Sequence, residues 1–150
     1  MTEQTLKRRR FRRNSGFTLI EILVVIVVIA ILATLVAPNV FQNVGTAKTT
    51  TAKTQIEMLA SALDAYRLDN GYYPSTQQGL QALQELPAID PPTNWRGPYL
   101  RKAVPLDPWG RAYLYISPGD VNPTGFDLFS YGADGQLGGD GENADVVSWQ

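Results

Sequence analysis

The residues with the greatest capacity for chemistry lie in an acidic, glycine-rich segment at residues 131–145. Four carboxylates fall within twelve of its residues and repel one another, and its five glycines make an ordered conformation costly. Such a segment either stays mobile or is held by a cation, and oxygen ligands without sulfur or imidazole favour calcium over zinc or copper. Both alternatives fit the composition, and the spacing is not that of an EF-hand. The four carboxylates are Asp134, Asp140, Glu142 and Asp145.

The composition excludes several other chemistries. The chain contains no histidine and no cysteine, which removes the Ser-His-Asp and Cys-His nucleophile systems, thiolate metal sites and disulfides. Asp107, Asp127 and Asp134 could form a carboxylate site, but Asp107 precedes Pro108 and is more simply explained as a turn residue. A phosphate-binding G-x-x-x-x-G-K-S/T loop is also absent from the sequence. We therefore predict that the protein is not an enzyme.

A further carboxylate, Glu21, stands in an apolar segment near the start of the chain. Residues 17–37 are apolar except for two threonines and this glutamate, and as a helix they would extend roughly 32 Å, about one bilayer core. Six of the thirteen basic residues lie in the first thirteen positions, so the positive-inside rule places the N-terminus in the cytoplasm. We therefore expect residues 17–37 to form a transmembrane helix.

A secretory signal and a nucleic-acid-binding arm account for this segment less well. A cleaved secretory signal has a shorter apolar region of about 7–15 residues and no carboxylate within it. A nucleic-acid-binding arm would explain the basic residues, but the apolar run that follows them already explains them by topology. Glu21 either has a specific role or is neutralised at the headgroups, and its position alone does not decide between these.

Helix is expected to continue beyond Pro38, at which we predict a kink or local unwinding. Residues 56, 59, 63 and 66 are apolar at three- and four-residue steps, and Gly71 suits the left-handed position after a helix end. The whole helix would span roughly 50 residues, or about 75 Å. No small soluble domain needs a helix of this length, so its first half must be buried in lipid or among other copies.

Residues 71–150 predict a small head with α+β architecture. Ser75 or Thr76 can cap a short helix that carries Leu80, Leu83 and Leu86 and ends at Pro87. Residues 112–116 and 126–131 are rich in β-branched and aromatic residues, which predicts two or three antiparallel strands in all. About 80 residues without a disulfide make a thin core, which the acidic loop at 131–145 could stabilise.

Several motifs together resemble the type IV pilin-like proteins. Residues 16–21, Gly-Phe-Thr-Leu-Ile-Glu, follow a basic leader and open the apolar run, as in a prepilin peptidase motif. In the head, Gly-Pro-Tyr-Leu at 97–100, Leu-Asp-Pro-Trp-Gly at 106–110 and Ser-Tyr-Gly-Ala-Asp-Gly at 130–135 resemble the major pseudopilins of the bacterial type II secretion system. The resemblance extends from the leader to Trp149.

This resemblance implies how the N-terminus is processed and used. Residues 1–16 would be a leader, cleaved between Gly16 and Phe17, with N-methylation of the new amino terminus. Glu21 would pair with the terminal amine of a neighbouring subunit, which offsets the penalty of placing both charges in an apolar interior. Cleavage would leave seven basic against thirteen acidic residues, a formal net charge of −6.

The resemblance also implies a structural calcium ion in the final loop. Asp134 matches the first acidic ligand of the family, and the backbone carbonyls of Tyr131 and Gln136 fall where further ligands are expected. The later acidic ligand matches less well. Glu142 is the first choice, with Asp140 and Asp145 as substitutes.

The fold class implied is α+β: a long N-terminal helix whose first half, 17–37, is transmembrane and whose second half, 38–70, is periplasmic, followed by the head at 71–150 with its calcium-binding loop. The implied function is that of a subunit polymerising into a periplasmic filament that drives export of folded proteins. Implied partners are other copies, minor pseudopilins, prepilin peptidase, an inner-membrane assembly platform, a cytoplasmic secretion ATPase and membrane lipid before assembly.

Two alternatives have different functions. A subunit of a DNA-uptake or adhesion fibre would share the leader and helix, although an excess of acidic residues disfavours binding to nucleic acid. A membrane-anchored, calcium-dependent binding module would share the helix and the acidic loop.

Overall fold

The computed structural model describes the backbone of residues 16–149, and the side chains of this range except those of 35–43. The leader expected at 1–16 therefore lies almost entirely outside the described residues. The chain divides into two compact units, Met1–Val40 and Phe41–Gln150. Helix α1, Leu19–Asn70, is followed by a 3₁₀ turn at Leu80–Leu83 and three short strands.

Helix α1 confirms the single long helix that the sequence predicts. It contains 52 residues, and helical backbone runs through Pro38 without a break, so the local unwinding considered at this residue is not found. It ends where expected: Gly71 has φ 85° and its N–H donates to the carbonyl of Arg67 at 2.7 Å. This hydrogen bond satisfies a carbonyl left without a partner in the last turn, and glycine is favoured because the left-handed conformation is costly for other residues.

In the first unit, the apolar side chains of α1 are exposed. Thirteen large apolar residues between positions 17 and 32 have exposed fractions from 47%, at Val28, to 89%, at Leu19. Among the residues that the structure describes, no helix meets the combined length and apolarity expected of a membrane span. The transmembrane segment expected at 17–37 stays a prediction.

In the second unit, α1 supplies the centre of the hydrophobic core. Ile56, Leu59, Leu63 and Tyr66 are all at most 3% exposed, which confirms the periodicity read from the sequence. Ala52 extends the same buried face toward the helix start. The rest of the head packs on this face through residues shared among its turns and strands, namely Leu80, Leu83, Leu100, Tyr113, Tyr115, Phe126, Leu128 and Val146.

Three antiparallel strands form one sheet in the order β1-β2-β3: β1 is Leu114–Ile116, β2 is Asp127–Ser130 and β3 is Val146–Val147. Tyr115 lies opposite Leu128, and Ser130 lies opposite Val146. These four residues are buried, so one face of the sheet covers the helix. The first two strands fall within the predicted segments but are shorter.

Two expectations for the head need correction. The segment after Pro74 forms a turn and a four-residue 3₁₀ helix, and Leu86 is 52% exposed and lies outside the core. Ser75 caps the turn before this helix, since its Oγ accepts from the N–H of Gln78 and the Gln78 side chain accepts from the N–H of Ser75. The 3₁₀ helix itself follows Gly79 and has no side-chain cap, so the expected capping by Ser75 or Thr76 is wrong. Three strands agree with the two or three expected, but the position of β3 was not predicted, because two valines give no periodicity.

Because Tyr66 is buried, the free energy of unfolding of the head falls at alkaline pH. Burial, reinforced by Tyr72 and Tyr99, raises the pKa of Tyr66 from 10.0 to about 12. The unfolded chain ionises first, so stability is full below about pH 10 and falls as the pH rises toward 12. We predict that Tyr66→Phe reduces this alkaline loss, measured by urea unfolding at pH 8 and pH 11.

The Tyr66 hydroxyl is buried without a hydrogen-bond partner among the described residues, so its removal should cost little at pH 8. Tyr131→Phe serves as the control, because Tyr131 is partly exposed and is not among the causes of the raised Tyr66 pKa. An equal alkaline loss in wild type and Tyr66→Phe would contradict the assignment.

Candidate functional site

The start of α1 holds Glu21 in a reciprocal pair of hydrogen bonds. The N–H of Glu21 donates to Thr18 Oγ1 at 3.2 Å, and the N–H of Thr18 donates to Glu21 Oε2 at 3.4 Å. This is a capping box, in which each side chain satisfies a backbone donor that the first helical turn leaves free. The role was not predicted from the sequence, although Thr-x-x-Glu before an apolar run is its known signature.

The predicted processing residues lie just before this cap and are accessible. Phe17 is 78% exposed, and the space around the Cα of Gly16 is open to at least 4 Å in the direction of a side chain. The helix begins only at Leu19. The bond between Gly16 and Phe17 therefore lies in non-helical, exposed chain, as a peptidase substrate requires.

The acidic loop is ordered by hydrogen bonds to its own backbone. Asp134 Oδ1 accepts from the N–H of Gln136 at 3.0 Å, and Asp145 Oδ2 accepts from the N–H of Gly138 at 2.9 Å. The N–H of Ala133 donates to the carbonyl of Glu142 at 2.8 Å, closing the loop. Asp145 is thus tied to the middle of the loop although it lies at its end.

Asp145 also carries the one feature of the loop that calls for a further partner. Its Oδ1 is buried and has no hydrogen bond among the described residues. A buried carboxylate oxygen without a partner is costly, because the charge has lost water and gained nothing in return. A cation in contact with Oδ1 would remove this cost.

Glu142, the first choice for the later acidic ligand, faces α1. A Cβ placed on Gly45 would collide with the Glu142 carboxyl group, so this side chain packs directly on the helix backbone and buries Gly45. Any other residue at position 45 would require the flexible end of the exposed Glu142 side chain to move. Asp140 precedes the 3₁₀ turn Gly141–Asn143 and makes no side-chain cap to it.

The described residues contain no group of three acidic side chains placed to hold a metal ion together. Calcium does not require such a group, because backbone carbonyls and water complete its shell of six to eight oxygens. The calcium site expected at Asp134 and Glu142, with the carbonyls of Tyr131 and Gln136, stays a prediction. Asp145, one of the two substitutes, has a buried carboxylate oxygen without a partner among the described residues, whereas the Glu142 carboxyl group packs on α1.

Two buried aspartates position the segments around the loop. Asp107 is 4% exposed and accepts from the N–H groups of Trp109 and Arg111 at 3.0 and 2.8 Å and from the Ser130 hydroxyl at 2.5 Å. Asp127 is 2% exposed and accepts from the N–H groups of residues 121 and 122. Both carboxylates serve turns, which agrees with the expectation for Asp107.

Two families of known proteins match different parts of this chain. Residues 11–37 match the prokaryotic N-terminal methylation motif, and residues 39–149 match the family described as type II secretion system protein G. The first match covers the N-terminal segment, and the second covers most of the remainder.

Individual relatives agree. The type II secretion system core protein G of Pseudomonas aeruginosa is 52% identical over 139 residues, covering 92% of this chain and 96% of that protein. The corresponding protein of Escherichia coli K12 is 42% identical and covers 91% and 92%.

A solved structure is also similar. The crystal structure of the major pseudopilin from the type 2 secretion system of enterohaemorrhagic Escherichia coli has a TM-score of 0.62 and 38% identity, covering 75% of this chain and 95% of that one. The chain belongs to the type II secretion system protein G family, the major pseudopilins.

The loop conformation depends on glycines, and Gly132 is one of the two most constrained. Its φ is 64°, and a Cβ there would lie 2.6 Å from the carbonyl oxygen of Ala144. We predict that Gly132→Ala lowers the free energy of unfolding by about 2–3 kcal/mol, the sum of left-handed strain and steric conflict. Urea unfolding of the full chain in detergent measures this loss.

Gly138→Ala is the matched control. Gly138 has φ 91° but open space in the side-chain direction, so its substitution should cost only the conformational strain of about 1–2 kcal/mol. Equal losses for the two variants would show that contact with Ala144 plays no part.

Proposed function

We propose that this chain is the structural subunit of a periplasmic type II secretion filament, polymerising through the first half of α1 to drive export of folded proteins. The observation that carries this proposal is the exposed apolar surface of residues 17–32. The relatives named above are core proteins of that secretion system. The role proposed is mechanical and involves no catalysis by this chain.

The exposed surface requires a partner on energetic grounds. Burying one valine, leucine or isoleucine side chain is worth about 1.5–3 kcal/mol, and thirteen large apolar residues in this short segment are 47% exposed or more. Exposed apolar patches of this extent mark lipid or protein interfaces. Lipid before assembly and neighbouring helices after it would supply the same apolar cover.

In this proposal, Glu21 would connect one subunit to the next. Its carboxylate lies 3.4 Å from the N–H of Thr18, at the tip of the helix, one residue from the amine that cleavage would create at Phe17. A carboxylate in an apolar assembly needs a positive partner, and the amine of a neighbouring copy provides one. The hydrogen bond from the backbone N–H of Thr18 keeps the carboxylate at the tip until that partner arrives.

Processing and location follow from the N-terminal segment. We place the precursor in the bacterial inner membrane as a single-pass protein, with its basic leader in the cytoplasm and its head in the periplasm. Prepilin peptidase would cleave after Gly16, and methylation would follow at Phe17. An assembly platform, a cytoplasmic ATPase and minor pseudopilins would act as partners, since this chain has no phosphate-binding loop of its own.

We further propose that the acidic loop binds calcium. Asp134 and Asp145 would provide carboxylate oxygens, and the carbonyls of Tyr131 and Gln136 would complete part of the shell. The ion would neutralise the repelling carboxylates and give Asp145 Oδ1 the partner it lacks among the described residues. The head has no disulfide, so this would be its strongest constraint near the C-terminus.

For assembly, we predict that Glu21→Leu inserts into the membrane normally but forms no filaments. Insertion becomes easier because a charge is lost, whereas assembly fails because the neighbour's amine has no partner. Membrane fractionation and electron microscopy of cells that overproduce the chain with its secretion machinery measure the two steps.

Thr18→Val is the matched control. It removes the hydroxyl that accepts from the N–H of Glu21 but keeps the carboxylate, so filaments should persist. If Glu21→Leu yields filaments in wild-type number, the pairing role is excluded.

For the loop, we predict that calcium raises the melting temperature of the full chain in detergent, and that Asp145→Asn removes most of this increase. The amide keeps the size of the side chain but loses its charge. Asp120→Asn changes an exposed aspartate of the same head outside the loop and should respond as wild type does. A melting temperature that chelator leaves unchanged would argue for a loop without calcium.

A further inference from the structure

Arg111 brings a positive charge to the first turn of the acidic loop. Its Nη2 donates to the carbonyl of Gly132, and its Nη1 lies 3.5 Å from the carbonyl oxygen of Ala133. The guanidinium also lies against Gly135, where an added Cβ would be 3.1 Å from Nη1. One side chain therefore touches three successive parts of the turn.

Asp107 holds Arg111 in place. The Asp107 carboxylate accepts from the backbone N–H of Arg111 at 2.8 Å, and its Oδ2 lies 3.9 Å from Nε. The Asp107 side chain is 1% exposed, whereas that of Arg111 is 41% exposed. Since the Ser130 hydroxyl donates to the same carboxylate, the end of β2 is joined to this anchor.

Ordering the turn that Arg111 contacts costs conformational entropy and brings like charges together. Gly132 and Gly135 both have positive φ, so the unfolded turn has a large conformational freedom to lose. Its carbonyls must converge while the nearby carboxylates repel one another. A planar guanidinium can bind two carbonyls at once and offset that repulsion.

We propose that Arg111 is a positioning residue that holds the first turn of the loop in the cation-binding conformation before calcium arrives. The calcium part of this inference rests on the proposed calcium site. Arg111 binds the carbonyls of Gly132 and Ala133, whereas the proposed ligands are those of Tyr131 and Gln136. The guanidinium and the ion therefore use different carbonyls of one turn.

This arrangement determines whether removal of Arg111 weakens or tightens calcium binding. If Arg111 only repelled a nearby cation, its removal would tighten calcium binding. Asp107 already offsets part of the guanidinium charge, so the lost order dominates and removal weakens binding. Groups that orient metal ligands typically change affinity by about 10–100-fold when removed.

The test uses the full chain in detergent with Arg111→Gln, Arg111→Lys and, as a control, Arg96→Gln. Arg96 is an exposed arginine of the same head, so its variant loses the same charge at a different place. Hydrogen exchange of residues 132–145 is measured in chelator, and calcium affinity is measured by calorimetry. We expect Arg111→Gln to speed loop exchange at least about tenfold in chelator and to weaken calcium binding about tenfold.

Arg111→Lys should fall between wild type and Arg111→Gln, because lysine keeps the charge but not the two-pronged donor. Arg96→Gln should match wild type in both measurements. Tighter calcium binding by Arg111→Gln, or loop exchange equal to that of wild type, would overturn the proposal. If wild type binds no calcium, the calcium site fails by itself, and exchange in chelator still decides whether Arg111 orders the loop.

Discussion

The structure depends on one helix whose apolar surface exceeds what its own head can cover. Between Ala52 and Tyr66 the buried face of α1 is matched by the turns and strands of the head. Between positions 17 and 32 the large apolar side chains are exposed. The same physical force therefore folds the second unit within a single chain and demands an external partner for the first.

Three carboxylates of this apolar framework are held by hydrogen bonds to nearby backbone N–H groups. At the helix tip, Glu21 is held by Thr18. In the head, Asp107 and Asp127 are buried, and each accepts at least two backbone N–H groups, which is how buried carboxylates avoid the cost of desolvation. These carboxylates give a thin core the defined turns that disulfides provide in other small domains.

The sequence pattern is sufficient to predict a structural element where residues close in sequence determine that element. The three- and four-residue spacing of Ile56, Leu59, Leu63 and Tyr66 predicts the core face, and Gly71 predicts the helix end. The capping box at Thr18 is equally local and could have been predicted. Strand β3 could not, because its two residues are fixed by pairing with β2 across the acidic loop.

The acidic loop at residues 131–145 shows more clearly what the sequence alone cannot predict. Composition permits a cation, but it gives the four carboxylates equal standing. Only the folded chain separates Asp145, which turns one oxygen into a buried position, from Glu142, which packs on the helix. Likewise, no sequence pattern joins Arg111 to a turn that begins about twenty residues later. Contacts between segments that are distant in sequence determine the candidate site, whereas residues close in sequence determine most of the helix and strand positions.

The contact between Gly45 and Glu142 has a structural consequence. Because the carboxyl group fills the space that a side chain at position 45 would need, an alanine or serine there would push the flexible end of Glu142 away from the helix. Glu142 is exposed, so this movement costs little stability but breaks the contact. Glycine at position 45 therefore lets the helix touch a loop almost a hundred residues away in the chain.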